Sequence, residues 1–135
     1  MKKLIYILSI CSLCLGACSA SNQPVCEDLI CTMEFRMVQV KFIDASGNPV
    51  IVKDFSSIIK RINNPVMKNN DPAGSGVYTV ASDADLKQLS EKGDIIMVSA
   101  THPQTNKKIE AEFVVSGGLC ACHINKISGP AEILF

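Results

Sequence analysis

Tryptophan is absent from this chain, and aromatic residues are few: two tyrosines and five phenylalanines in 135 residues. With so few rings, sugar binding by aromatic stacking is disfavoured, and most of the phenylalanines fall in strand patterns suited to a core. Charge of one sign is also lacking. Thirteen basic side chains balance thirteen acidic ones, and no run of like charge occurs. Nucleic-acid binding needs a concentrated basic face, so nucleic acid is excluded as a partner. No apolar run is long enough to cross a bilayer, which takes about 20 residues. The motifs of several reactions are missing as well: Gly-x-Ser-x-Gly of nucleophilic hydrolases, redox Cys-x-x-Cys anywhere after residue 17, and a phosphate-cradling loop, since Gly117-Gly118 is not followed by Lys-Ser.

The apolar run that is present opens the chain. Met1-Lys2-Lys3 is a short basic start, and Leu4 to Leu15 is apolar apart from Ser9 and Ser12. Such a run makes about 18 Å of helix against a bilayer core of about 30 Å, which fits a secretory leader and not a span. Leu15-Gly16-Ala17-Cys18 then sets an aliphatic residue and two small ones before a cysteine. This resembles the lipobox of bacterial lipoproteins. The resemblance implies cleavage before Cys18, a diacylglyceryl group on its thiol and a membrane attachment through that lipid. Two or three acyl chains anchor stably where one does not. Ser19, where inner-membrane retention would call for Asp, implies the outer membrane of a Gram-negative envelope.

Removing residues 1–17 leaves 118 residues with 11 basic and 13 acidic side chains, a net charge of −2. That is one domain's worth of chain. Residues 18–30 read as lipidated N-terminus and tether, and residues 31–135 as the domain. Of seven cysteines, Cys11 and Cys14 leave with the leader and Cys18 is set apart for lipid, so Cys26, Cys31, Cys120 and Cys122 remain. An even number in an exported domain suggests disulfides. Cys120 and Cys122 would share one face of a strand and do not bond easily to each other. The early pair is therefore expected to bond to the late pair, in either of two combinations.

The rest alternates in short stretches bounded by turns. Thr32–Ile43 reads as a half-buried strand whose apolar phase changes near Met37-Val38, as at a bulge. Asp44-Ala45-Ser46-Gly47-Asn48-Pro49 is a turn, and Val50-Ile51-Val52 starts a second strand. Asp54 offers a cap for a brief helix through Ile62. Asn63–Ser75 is a long loop rich in Asn and Pro. Strand returns at Gly76–Ala81. Ser82-Asp83-Ala84-Asp85 has the pattern of a capped start, which places a short helix near residues 83–92, closed by Gly93. Asp94–Ala100 reads as a strand buried on both faces. Pro103–Asn106 makes a hairpin to Lys107–Val115, and strands follow at Leu119–Ile124 and Ala131–Phe135. Short strands with turns every eight to twelve residues predict an all-β class and a single antiparallel β-sandwich, Ig-like or prealbumin-like.

Val38–Val50, with its strand ending in Asp44 and its Gly47-Asn48-Pro49 turn, resembles the opening of carboxypeptidase-regulatory-like domains, the transthyretin-like sandwiches. Gly76-Val77-Tyr78 fits their later Gly-x-Tyr strand. The resemblance spans roughly residues 36–116 and implies a non-catalytic stabilising or binding module. The Asn/Pro loop and the cysteine-bearing end depart from it.

Cys120-Ala121-Cys122-His123 is the densest group of candidate ligands. Thiolates and imidazole suit zinc or copper(I), so an envelope metal-binding lipoprotein is the alternative reading. The Cys-x-Cys-His spacing rules out c-type haem attachment, which needs Cys-x-x-Cys-His. His102 precedes Pro103 at a hairpin edge and reads as solvated. Glu110 and Glu112 are two apart, a spacing that fits an exposed strand face as well as a carboxylate pair. Asp71, Asp83 and Asp85 carry oxygen donors for calcium, without the glycine-bearing loop of an EF-hand. No catalytic set and no cofactor are expected. The expected role is a non-enzymatic lipoprotein whose Asn63–Ser75 loop meets an envelope protein, with any small-molecule ligand unspecified.

Overall fold

A computed structural model describes Cys26 and residues 29–66 and 74–135. The leader, Cys18, most of the tether, Asp71 and the middle of the Asn/Pro loop lie outside the described residues. The architecture is mostly β, in two sheets. Strands β1 (Met37–Ile43), β2 (Lys53–Ile59), β3 (Asn64–Pro65) and β4 (Val77–Ser82) precede a single 3₁₀ turn, Asp83–Gln88. Strands β5 (Asp94–Thr101), β6 (Lys108–Ser116), β7 (Asn125–Ser128) and β8 (Glu132–Leu134) complete the chain. One sheet has the order β4-β1-β8, the other β3-β2-β5-β6-β7. No helix among the described residues is long and apolar enough to cross a membrane.

The two sheets share one core. Val38, Val40 and Phe42 of β1 alternate inward, as the period of two requires. They meet Tyr78 and Val80 of β4, Ile59 of β2, Ile96 and Val98 of β5, and Phe113 and Val115 of β6 in a single buried cluster. Asp94–Thr101 is not buried on both faces. Asp94, Ile96, Val98 and Ala100 are buried, while Ile95 is exposed and the others are half-buried. Most of the aromatic residues gather at one place: Phe42 sits edge-on to Tyr78 at 5.5 Å, with Phe55 and Phe135 at 6.2 and 5.6 Å. Offset and edge-to-face rings at these separations are favoured by their quadrupoles.

The turn after β1 is built by Asp44. Its carboxylate accepts the amides of Ser46 and Asn48 at 2.8 and 2.9 Å and the Asn48 side-chain amide at 3.2 Å. These donors, Asn48 first, hold its pKa below the ordinary value of 3.8. The turn carries Pro49 back beside Ile43. There it meets Gly76, at φ +71°, whose carbonyl accepts the Phe42 amide. A Cβ at Gly76 would stand 2.9 Å from the Pro49 Cβ and 3.2 Å from the Phe42 carbonyl oxygen. The glycine of the Gly-x-Tyr stretch is therefore required by both its backbone angle and its neighbours. Two residues on, the Tyr78 hydroxyl accepts the Val52 amide at 3.0 Å.

Several expectations are corrected. Thr32–Arg36 is not strand, and Phe35 and Met37 stay exposed. A register shift does fall between Val38 and Gln39, but the extra residue is Val80 on β4. Val50–Val52 precedes the second strand instead of starting it. Asp54–Ile62 is no helix: most of it is β2, with Asp54 at φ +51° where β2 carries one residue more than β5. The helix expected near 83–92 is a shorter 3₁₀ turn; its start is closed by the Asp85 carboxylate, which reaches back to accept the Ser82 amide and hydroxyl at 2.9 and 3.2 Å. Leu119–Ile124 is turn and irregular chain, not strand. Pairing is not wholly antiparallel either, because β8 runs parallel to β1. A parallel partner can come from anywhere along the chain and leaves no local turn signal.

Candidate functional site at the disulfide end

The start of β1, the 3₁₀ turn and the segment 117–124 after β6 meet at one end of the domain. Gly117 and Gly118 allow this. Their amides bond to the carbonyls of Ser90 and Leu86 at 3.0 and 2.8 Å. A Cβ on Gly117 would lie 2.7 Å from the Leu86 carbonyl oxygen, and one on Gly118, at φ +116°, would lie 2.5 Å from Glu91 Cγ. Only glycine lets the chain pass this close to the turn. The segment then presents Cys120 to Cys26 and Cys122 to Cys31, and both pairs are disulfide-bonded with Cα atoms 5.2 Å apart. The early pair is tied to the late pair, in parallel order.

Beside the Cys31–Cys122 bond stand two residues of a three-part relay. Thr32 follows Cys31, and its hydroxyl meets His123 Nε2 at 2.9 Å. His123 follows Cys122, and its Nδ1 meets the Asp83 carboxylate at 2.7 Å. An ionised Asp83 only accepts, so Nδ1 carries a proton towards it, and the Thr32 hydroxyl, able to donate or accept, satisfies Nε2. Asp83 is further held by the amides of Arg36 and Ile124, both at 2.8 Å, while its own amide donates to the Arg36 carbonyl at 3.0 Å. The His123 side chain is 8% exposed. Hydroxyl, imidazole and carboxylate stand in the order used by nucleophilic enzymes. Here they join three separate segments, residues 31–36, the 3₁₀ turn and the cysteine loop, into one latch.

A second polar group lies nearby. Asp94, at the start of β5, is 5% exposed and accepts Arg61 Nε and a second guanidinium nitrogen at 2.7 and 2.9 Å, plus the Ser90 amide at 2.7 Å. Arg61 also donates to the Gln88 carbonyl at 2.7 Å. A planar guanidinium suits this two-pronged contact. Lys60, Arg61, Gly93, Asp94 and Ile95 line a shallow, open depression. Its guanidinium is already engaged, which leaves little for an anion.

The Arg61 hydrogen bonds, against the opposing effect of burial, hold the Asp94 carboxyl below its ordinary 3.8. Burial pushes Asp83 up, but the donors Arg36, His123 and Ile124 together outweigh it, and its pKa is also lowered. A carboxyl with a lower pKa when folded contributes stability above its unfolded pKa, and loses it as pH falls through the folded value. Unfolding midpoints in urea are therefore expected to hold from neutral pH down to about pH 4 and to fall below that. Asp83→Asn and Asp94→Asn should each flatten that acid limb. Asp94→Asn is expected to cost about 2 kcal/mol at neutral pH, because a charge-assisted pair is lost at a buried site. An acid limb unchanged in both variants would contradict the assignment.

The remaining candidates are placed as follows. The sulfurs of Cys120 and Cys122 are bonded to those of Cys26 and Cys31, and both ring nitrogens of His123 are hydrogen-bonded. Metal binding by these three would first require both disulfides to be reduced. Among the described residues, no three His, Cys, Asp or Glu side chains are gathered to hold a metal ion. Asp83 and Asp85 turn to different partners, His123 and Ser82. Glu110 pairs with Lys108 at 2.8 Å and Glu112 with Lys60 at 3.6 Å, all four exposed. His102 is a turn residue: its Nδ1 accepts the amides of Gln104 and Thr105 at 3.2 Å, and its ring stands edge-on to Phe135. The sequence offered no partner for either histidine. Thr32 and Asp83 lie 91 and 40 residues from His123; the places of Thr32 and His123 beside cysteines hinted at their convergence, and nothing in the sequence pointed to Asp83. Comparison with protein-family models, with curated proteins and with solved structures finds no match to this chain.

Proposed function

We propose that this chain is a lipid-anchored lipoprotein of a bacterial envelope, and that its domain is a non-enzymatic module that binds or braces another envelope component. The observation that carries the reading is the division of the cysteines. Cys26, Cys31, Cys120 and Cys122 are consumed in two long-range disulfides, as befits an oxidising compartment. Cys18, standing outside that set, follows Leu15-Gly16-Ala17 at the end of a basic-then-apolar leader. Its membership in a lipobox and its separation from the staple support each other. By the same resemblance, Ser19 favours the outer membrane.

The domain is read as one Ig-like or prealbumin-like sandwich of the carboxypeptidase-regulatory-like kind. The Asp44 turn and the close approach of Gly76 to Pro49 fall where that resemblance wants a Gly-x-Pro turn and a Gly-x-Tyr strand. The parallel β8 and the stapled end are this chain's own additions. The Asn63–Ser75 loop, whose residues 67–73 lie outside the described set, is the segment offered to a partner protein.

Intact mass of the full chain, expressed in a bacterium and extracted from its membranes, tests the anchor. The expected mass is that of residues 18–135 with two disulfides plus diacylglyceryl and acyl groups, and Cys18→Ala should leave the leader uncut. A soluble, unlipidated product cut after Ala17 or Ala20 would refute the reading. Alkylation without reductant should leave four cysteines unmodified; free thiols carrying zinc or copper would favour the metal reading. Cross-linking in membranes, followed by partner identification, tests the binding role.

A further inference from the structure

We infer that residues 29–37, together with Leu119 beside the first disulfide, form a membrane-contact surface lying in the interfacial layer of the bilayer that holds the anchor. The inference rests on the lipoprotein reading and adds an orientation to it.

Six large apolar side chains are exposed together in sequence or across the first disulfide. Ile30 and Met33 are 96% and 105% exposed, Phe35 61%, and Leu29, Met37 and Leu119 about half. Leu119 belongs to the group because it precedes Cys120, which is bonded to Cys26. Grouped apolar exposure of this kind marks an interaction site. It is held in place by two disulfides and the Thr32–His123 contact instead of by burial of its own side chains.

The chain between anchor and staple identifies the occupant. Seven residues, 19–25, separate Cys18 from Cys26. Fully extended, with the bond to Cys26 included, they reach at most about 28 Å. A lipidated Cys18 therefore keeps the disulfide end close to the headgroups. β1 itself is seven residues and about 20 Å long, so with the staple at the headgroups its far end can stand clear of the bilayer. Glu34 against Arg36 leaves residues 29–37 with no net positive charge, so attachment comes from apolar insertion and not from attraction to anionic lipid. Side chains of this type bury about 5–10 Å into the headgroup–acyl boundary.

The lack of tryptophan makes the test direct. Met33→Trp places one indole in the segment. Leu134→Trp places one beside Ile43 at the far end of β1, at another exposed position. Each full-length, processed variant is reconstituted in phosphatidylcholine vesicles with acyl chains brominated near the headgroup. Expected are a blue-shifted, strongly quenched emission for Met33→Trp and an unquenched one for Leu134→Trp. Vesicle-bound protein with neither indole quenched, or both equally, overturns the inference while leaving the anchor intact. A blue shift at Met33→Trp without quenching reports burial against another protein molecule and overturns it too. Protein that fails to float with vesicles and lacks acyl mass on Cys18 removes the lipoprotein reading itself, and the inference with it.

Discussion

Removal of all four paired cysteines, by serine substitution, is expected to destabilise the domain by about 7 kcal/mol. Either pair alone (Cys26 with Cys120, or Cys31 with Cys122) should cost only about 2.5 kcal/mol. The difference follows from connectivity. The bonds join residues 94 and 91 apart. On the chain-entropy account, the first bond to form closes a ring of more than ninety residues and removes about 4.7 kcal/mol of unfolded-chain freedom. Once it exists, the second closes only a small ring, residues 26–31 and 120–122, worth about 2.5 kcal/mol. Whichever bond is removed, the other still closes the large ring. The effects should therefore be strongly non-additive, the quadruple variant losing about 2 kcal/mol more than the two double variants together. Urea denaturation of the three variants measures this. Two double variants that each lose about 4.5 kcal/mol and sum to the quadruple would show that the bonds act independently. A domain of this size has about 5–15 kcal/mol in total, so the quadruple variant should be largely unfolded at growth temperature.

Phe42→Ala should be the most damaging single core substitution, at about 4 kcal/mol. Phe42 is fully buried, at the centre of the ring cluster with Tyr78, Phe55 and Phe135. Its removal loses the transfer free energy of a phenyl group and leaves a cavity, along with edge-to-face contacts worth about 0.5–1.5 kcal/mol each. Collapse around the cavity is opposed because Phe42's backbone is held on both sides. Its amide bonds to the Gly76 carbonyl, its carbonyl accepts from Val50, and it stands opposite Ile133 of β8. Phe42→Leu, which keeps most of the volume, should cost about 1.5 kcal/mol. The check is a lowered urea midpoint with an unchanged slope. A loss under about 1 kcal/mol for the alanine variant would mean that the cluster repacks freely.

What was legible in the sequence was local. The alternation of Val38, Val40 and Phe42, the Asp44 turn, the Pro103–Asn106 hairpin and the Ser82 cap are each written within a few residues, and each was found. What was not legible depended on a partner elsewhere. β2 read as a brief helix because Asp54 offers it a cap and because Ser56 and Ser57 do not fit the inward face of an apolar strand. In the fold Ser56 meets Ser99 at 2.8 Å and Ser57 donates to the buried Val80 carbonyl. Polar side chains satisfied across a sheet look like breaks until the neighbouring strand is known. Arg61–Asp94 and His123–Asp83 are of the same kind: ordinary surface residue types made into fixtures by chain that arrives from far away. The disulfide ladder was legible as far as early-to-late pairing, since cysteine spacing limits the combinations, but the parallel order depended on the glycine-guided path of residues 117–122.

The staple also decides where the molecule bears load. Tension applied anywhere before Cys26 enters the fold through Cys120, and then through Cys122, as covalent bonds. It reaches the loop after β6 before it reaches β1. β1, which lies between β4 and β8 and would otherwise be peeled residue by residue from both neighbours, is bypassed. Drag on the domain is thus carried by two sulfur bridges and delivered beside the longest strand of the larger sheet, while the smaller sheet's central strand stays slack.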